Sequence, residues 1–103
     1  MDQNNSNAQK GHHLLMFYGN SCPMTKKAEP IAESVEKKLQ TTIRRLEVYE
    51  NEENLRKYKE VGGIQLCGGV PFFFNTETGS SVCGVREEAV ISAWATLTTT
   101  KRF

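Results

Sequence analysis

Hydrophobic positions along the chain fall into short clusters divided by polar and glycine-containing breaks, and the spacing inside each cluster predicts its element. His13 to Tyr18 is an apolar run closed by Gly19 and Asn20, which reads as a buried strand. The period then changes. Asn20 or Ser21 is placed to cap a helix, Pro23 suits a first turn, where a missing N–H costs nothing, and Ala28, Ile31, Ala32, Val35 and Leu39 recur near helical spacing. Pro30 falls inside that helix and should kink it. Thr41 to Tyr49 alternates, with Leu46 and Val48 on one face, and predicts a second strand. Asn51 to Glu60 is charged, carries Leu55 and Tyr58 as its apolar ridge, and should stop at Gly62-Gly63.

Gly68-Gly69 introduces Val70 to Phe74, a strand opening on Pro71, a residue tolerated only at a strand's start or edge. Asn75 to Ser81 turns the chain, and Ser81 to Val85 returns as the second arm of a hairpin. Arg86 to Leu97 closes with Val90, Ile91, Trp94 and Leu97 at helical spacing. The order is βαβαββα. Two strands joined through a helix are most simply parallel and the hairpin adds antiparallel strands, so the expected class is α/β, with one mixed four-stranded sheet and helices on both faces. Residues 1–11 are polar, rich in Asn and Gln, and read as a flexible tail; 12–98 form the domain and 99–103 a C-terminal tail.

Composition narrows the partners. The chain has 103 residues, room for one domain, and 13 basic against 12 acidic residues, interspersed, so no charge argument points to nucleic acid or an anionic membrane. Mean hydropathy is -0.51, and no apolar stretch approaches the roughly 20 residues that span a bilayer. Three cysteines, with no secretory signal in the opening residues, argue against a disulfide framework and leave at least one thiol over.

Cys22 is the best-placed nucleophile. It falls between a strand and a helix N-terminus, where unpaired backbone N–H groups and the helix dipole favour an anion such as a thiolate, and Lys26 one turn along adds a cation. The alternative is a small side chain tucked under the loop.

With these elements in order, the chain from about residue 12 to 97 resembles the thioredoxin superfamily, and its outline is similar to the smaller, glutaredoxin-type core. Three features carry the resemblance: the strand–Cys–helix junction FYGNSCPMT, the helix proline Pro30 that follows Cys22, and Gly69-Val70-Pro71 at the head of the third strand. The resemblance implies a cis Pro71 lying against the sulfur, with the Val70 backbone pairing a substrate's extended segment. It implies thiol–disulfide exchange on a protein or small-molecule disulfide, in a monomer, with no resident cofactor and glutathione as a candidate co-substrate.

The motif also departs from that family. Thr25 stands where a dithiol motif has its second cysteine, so Cys-Pro-Met-Thr is monothiol, and Met16 replaces the buried Asp that serves the resolving thiol. Thr25 either hydrogen-bonds the Cys22 sulfur or is an ordinary first-turn residue. Only Cys83-Gly84-Val85-Arg86-Glu87-Glu88 stands where glutaredoxins carry a glycine pair and acids for glutathione. Cys67, in the glycine-rich loop before Pro71, is a candidate resolving thiol for Cys22, or a loop or core residue. Cys83, in a strand, reads as packed, with a Cys67–Cys83 link as a third arrangement.

No Cys-x-x-Cys pair or His cluster makes a zinc set, while an iron–sulfur cluster shared between two monothiol subunits remains an alternative. Phe72, Phe73, Phe74 and Trp94 read as core. A module that keeps the fold and binds protein without turnover is the rival from another class. Free thiols suit the cytoplasm, with the plastid stroma as the alternative.

Overall fold

Leu14–Tyr18 (β1) buries Leu14, Leu15, Met16 and Phe17 together rather than alternately, which happens when both faces of a strand are covered. A computed structural model describes residues 13–96, and the tails expected at 1–11 and 99–103 lie outside the described residues. After β1 come α1 (Pro23–Leu39), β2 (Arg44–Glu47), α2 (Glu52–Glu60), α3 (Gly63–Leu66), β3 (Phe72–Asn75), β4 (Ser81–Cys83) and α4 (Glu88–Thr96).

The sheet has four strands in the order β2-β1-β3-β4, with β1 parallel to β2 and antiparallel pairing at β1/β3 and β3/β4. Side chains alternate across it. Leu14, Met16 and Phe73 meet Ala28, Ala32 and Val35 of α1 and Ile91, Trp94 and Ala95 of α4 on one face. Leu15, Phe17 and Phe72 meet Leu46, Val48 and Tyr58 on the other, under α2. The α/β class, the mixed four-stranded sheet and the helices on both faces are as the pattern predicts, and the architecture is compatible with a thioredoxin-like fold.

Local details differ from the periodicity. β2 pairs only over four residues of the predicted nine-residue span, extended by Val48 N–H donating to the Tyr18 carbonyl at 2.8 Å, while Pro30 lies inside α1 as expected. α2 ends at Glu60, just ahead of Gly62-Gly63 as expected, but a further helical turn follows that the pattern did not predict. Gly62 takes a left-handed turn with φ 86°, and Gly63 opens the single-turn α3 so close to the Tyr58 ring that a Cβ there would lie 2.5 Å from it. Arg45 of β2 reaches Glu29 at 2.9 Å and Glu36 at 2.8 Å, fastening α1 across the sheet edge.

Candidate functional site: the Cys22 loop

The β1 chain turns at Gly19, where Cys22 N–H donates to the Gly19 carbonyl at 3.1 Å, and α1 starts at Pro23. Cys22 itself occupies the N-cap in extended conformation, displacing Asn20 and Ser21 from the expected capping role. This is the end of the sheet where the parallel strands β1 and β2 finish, the usual place for a ligand crevice in α/β folds.

Cys22 is the free cysteine and is half-buried. As a thiol its Sγ lies 3.8 Å from the Val70 carbonyl oxygen, and the Val70–Pro71 peptide is cis. Partial burial raises the thiol's pKa, but hydrogen bonds from the Thr25 and Met24 N–H groups, the Thr25 hydroxyl and the Tyr49 hydroxyl outweigh it and hold the pKa below the ordinary value. The helix N-terminus thus acts through hydrogen bonds of its first turn. Lys26 lines an adjoining cavity with Tyr18, Asn20, Thr25, Glu29 and Arg45.

Thr25 is a buried first-turn residue, 8% exposed, whose Oγ1 accepts from the Gly19 N–H at 3.3 Å, and its hydroxyl is among the groups that lower the Cys22 pKa. The buried Met16, on the core side of β1, fills its position with packing.

Tyr49 was not singled out by the sequence pattern, which left it as the last residue of a strand. It is 55% exposed, and its ring lies so flat on Gly19 that a Cβ added there would meet Tyr49 Cε2 at 2.3 Å. Its own pKa is raised, first by desolvation, then by the charge and hydrogen bond of Cys22 and the charge of Glu47, so the phenol stays a donor. The signal available was position: an aromatic residue just past β2, at the strand end adjoining the Cys22 turn.

The remaining cysteines are joined to each other. Cys67 and Cys83 form a disulfide with Cα atoms 5.3 Å apart, the third of the arrangements open at the sequence, so Cys67 is not paired with Cys22. Cys83 is also not packed in the core. It is exposed, because β4 is a three-residue edge strand, and it stands opposite Phe72 on the face where Cys67 packs. The bond therefore fastens the loop before Pro71 to the sheet edge. Tyr58 holds the same loop from below, its hydroxyl 2.7 Å from the Gly69 carbonyl. An apolar groove lined by Val48, Tyr49, Leu55, Ile64 and Val70 runs from this loop toward α2.

Among the described residues no group of three or more His, Cys, Asp or Glu side chains forms a metal site, and no helix is long and apolar enough to cross a membrane. Comparison with protein-family models gives no match, and no curated protein matches the chain.

Proposed function

We propose that this chain is an atypical, thioredoxin-like monothiol oxidoreductase whose nucleophile is Cys22. The observation that carries the reading is the place of Cys22 at the N-cap of α1, half-buried and unpaired, with its Sγ 3.8 Å from the Val70 carbonyl that precedes a cis proline; the lowered thiol pKa agrees with it. In the first step the Cys22 thiolate attacks one sulfur of a protein or small-molecule disulfide. A new bond joins Cys22 to that sulfur, and the other sulfur leaves as a thiolate that takes a proton from solvent. Thr25 supplies no second thiol and Cys67 is engaged with Cys83, so an external thiol of the glutathione class attacks the mixed disulfide and releases Cys22 as thiolate. The Val70 carbonyl lies beside the sulfur, and Val70 with the following Pro71 would align an extended substrate segment by backbone pairing. The free Cys22 suits a reducing compartment, cytoplasm or plastid stroma, whereas the Cys67–Cys83 bond is of a kind rare there and weighs against the argument from free thiols.

The test is reduction of a small mixed disulfide by glutathione, with turnover expected from the full chain and lost in Cys22→Ser. A second reading, a binding module without turnover, draws on Thr25 in place of a second cysteine and on the exposed Met24, Tyr49, Ile64 and Leu66. Equal rates with and without Cys22, together with retained capture of an extended disulfide-free peptide, would favour that module.

A further inference from the structure

Tyr49 is an exposed aromatic residue with a defined seat. Gly19 leaves the space on which its ring lies, and a side chain there would collide with the ring. Its backbone is fixed as well. The Glu47 carboxylate accepts from Asn20 N–H at 3.0 Å, Tyr49 N–H at 3.1 Å and Glu50 N–H at 2.8 Å, so one carboxylate ties the β1–α1 turn to the segment that carries Tyr49. The ring is thereby held on the turn whose Gly19 carbonyl accepts from the Cys22 N–H at 3.1 Å, which brings the phenol beside Cys22, and each of the two groups shifts the other's pKa.

We propose that Tyr49 is a catalytic residue of the Cys22 site, its hydroxyl donating to the sulfur both when Cys22 attacks and when it leaves, with Glu47 as the residue that positions it. The proposal rests on Cys22 being the nucleophile. A phenol is suited to the task because it donates without carrying positive charge and remains protonated through the range in which a thiolate forms. The other charged groups around the Cys22 turn are Glu47, whose carboxylate accepts from Asn20 and Tyr49 N–H, and Lys26, Glu29 and Arg45, which line the adjoining cavity with Thr25; the Gly68–Pro71 segment brings none. Stabilising the thiolate affects both halves of the cycle. It raises the fraction of reactive sulfur at neutral pH, and it makes Cys22 the better leaving group when an external thiol attacks the mixed disulfide.

The experiment is the pH profile of iodoacetamide alkylation of the full chain under non-reducing conditions, in which Cys67 and Cys83 are bonded and Cys22 alone reacts. The native chain should show a midpoint below the free-thiol value of about 8.5. Tyr49→Phe should move it up by about one pH unit, roughly a tenfold fall in thiolate at pH 7. The same variant should slow glutathione attack on the isolated Cys22–glutathione mixed disulfide. Gly19→Ala, which displaces the ring but keeps the hydroxyl, should shift the midpoint the same way, and Tyr49→Phe added to it should shift it little further. Circular dichroism confirms that each variant is folded, which the exposure of Tyr49 favours. A native midpoint at the free-thiol value overturns the nucleophile reading itself. A low native midpoint that neither variant moves overturns the role of Tyr49 and leaves that reading standing.

Discussion

Thr25 and Gly19 are joined across the Cys22 turn: the Gly19 N–H donates to Thr25 Oγ1 at 3.3 Å in a buried setting. One hydroxyl therefore closes the loop and faces the sulfur. Thr25→Val keeps the shape and removes the acceptor, stranding the Gly19 N–H, and should destabilise the protein by about 1–3 kcal/mol in urea unfolding. The same variant should raise the Cys22 alkylation midpoint, because a donor to the thiolate is lost. An unchanged stability with an unchanged midpoint would show that Thr25 is a passive first-turn residue.

The Cys67–Cys83 bond closes a loop with a sequence separation of 16. Chain-entropy reasoning gives such a loop a stabilisation of about 3 kcal/mol. The double variant Cys67→Ser, Cys83→Ser should lose that amount in urea unfolding relative to the oxidised native chain. Reductant should bring the native chain to the variant's midpoint and leave the variant unmoved. A native midpoint insensitive to reductant would count against the bond as a staple.

The lowered Cys22 pKa makes stability depend on pH. Between the folded pKa and the unfolded value of about 8.5, the unfolded chain holds a proton that the folded chain has released, so stability rises with pH. The contribution is complete above the unfolded value and lost as pH falls through the folded one. Cys22→Ser should flatten the curve of urea midpoint against pH across the neutral to mildly alkaline range. Parallel curves for variant and native chain would refute the linkage.

Tyr58 is buried, and its hydroxyl lies 2.7 Å from the Gly69 carbonyl and 3.2 Å from that of Gly63, at the base of the loop that leads to Val70. Tyr58→Phe keeps the ring packed between Phe17 and Phe72 and removes the hydroxyl. It should cost about 1–2 kcal/mol in unfolding free energy. Protection of the amides around Gly68 and Gly69 against hydrogen exchange should fall more than that of β1, and a uniform loss across the sheet would contradict a local anchoring role.

Much of the fold was legible because periodicity reports burial. The unbroken apolar run at Leu14–Phe17 announced a strand covered on both faces, and Ala28, Ala32 and Val35 marked the buried stripe of α1. What escaped depended on contacts between segments distant in sequence. The single-turn α3 forms where Gly63 tucks against Tyr58, so the glycine pair that ends α2 also bends the chain into another helical turn. Cys83 looked packed because a strand cysteine usually is, yet β4 is an edge, and strand order is not written in local spacing. In the site, Cys22 was visible from its junction between strand and helix. Tyr49 was not, since its function comes from the parallel register that places the end of β2 beside the end of β1.

The Glu47 carboxylate gathers amides from Asn20 and from Tyr49 and Glu50, more than two dozen residues apart in the chain. Isotope exchange at those three amides should accordingly follow one opening event, the release of a single side chain, rather than two independent loop fluctuations. The backbone N–H groups hold the Glu47 carboxyl below its usual range, outweighing the desolvation that would raise it. The latch therefore stays closed at neutral pH and opens only as acid protonates that carboxyl. The thiol loop and the tyrosine loop are thus joined through one ionised side chain across the range in which Cys22 ionises.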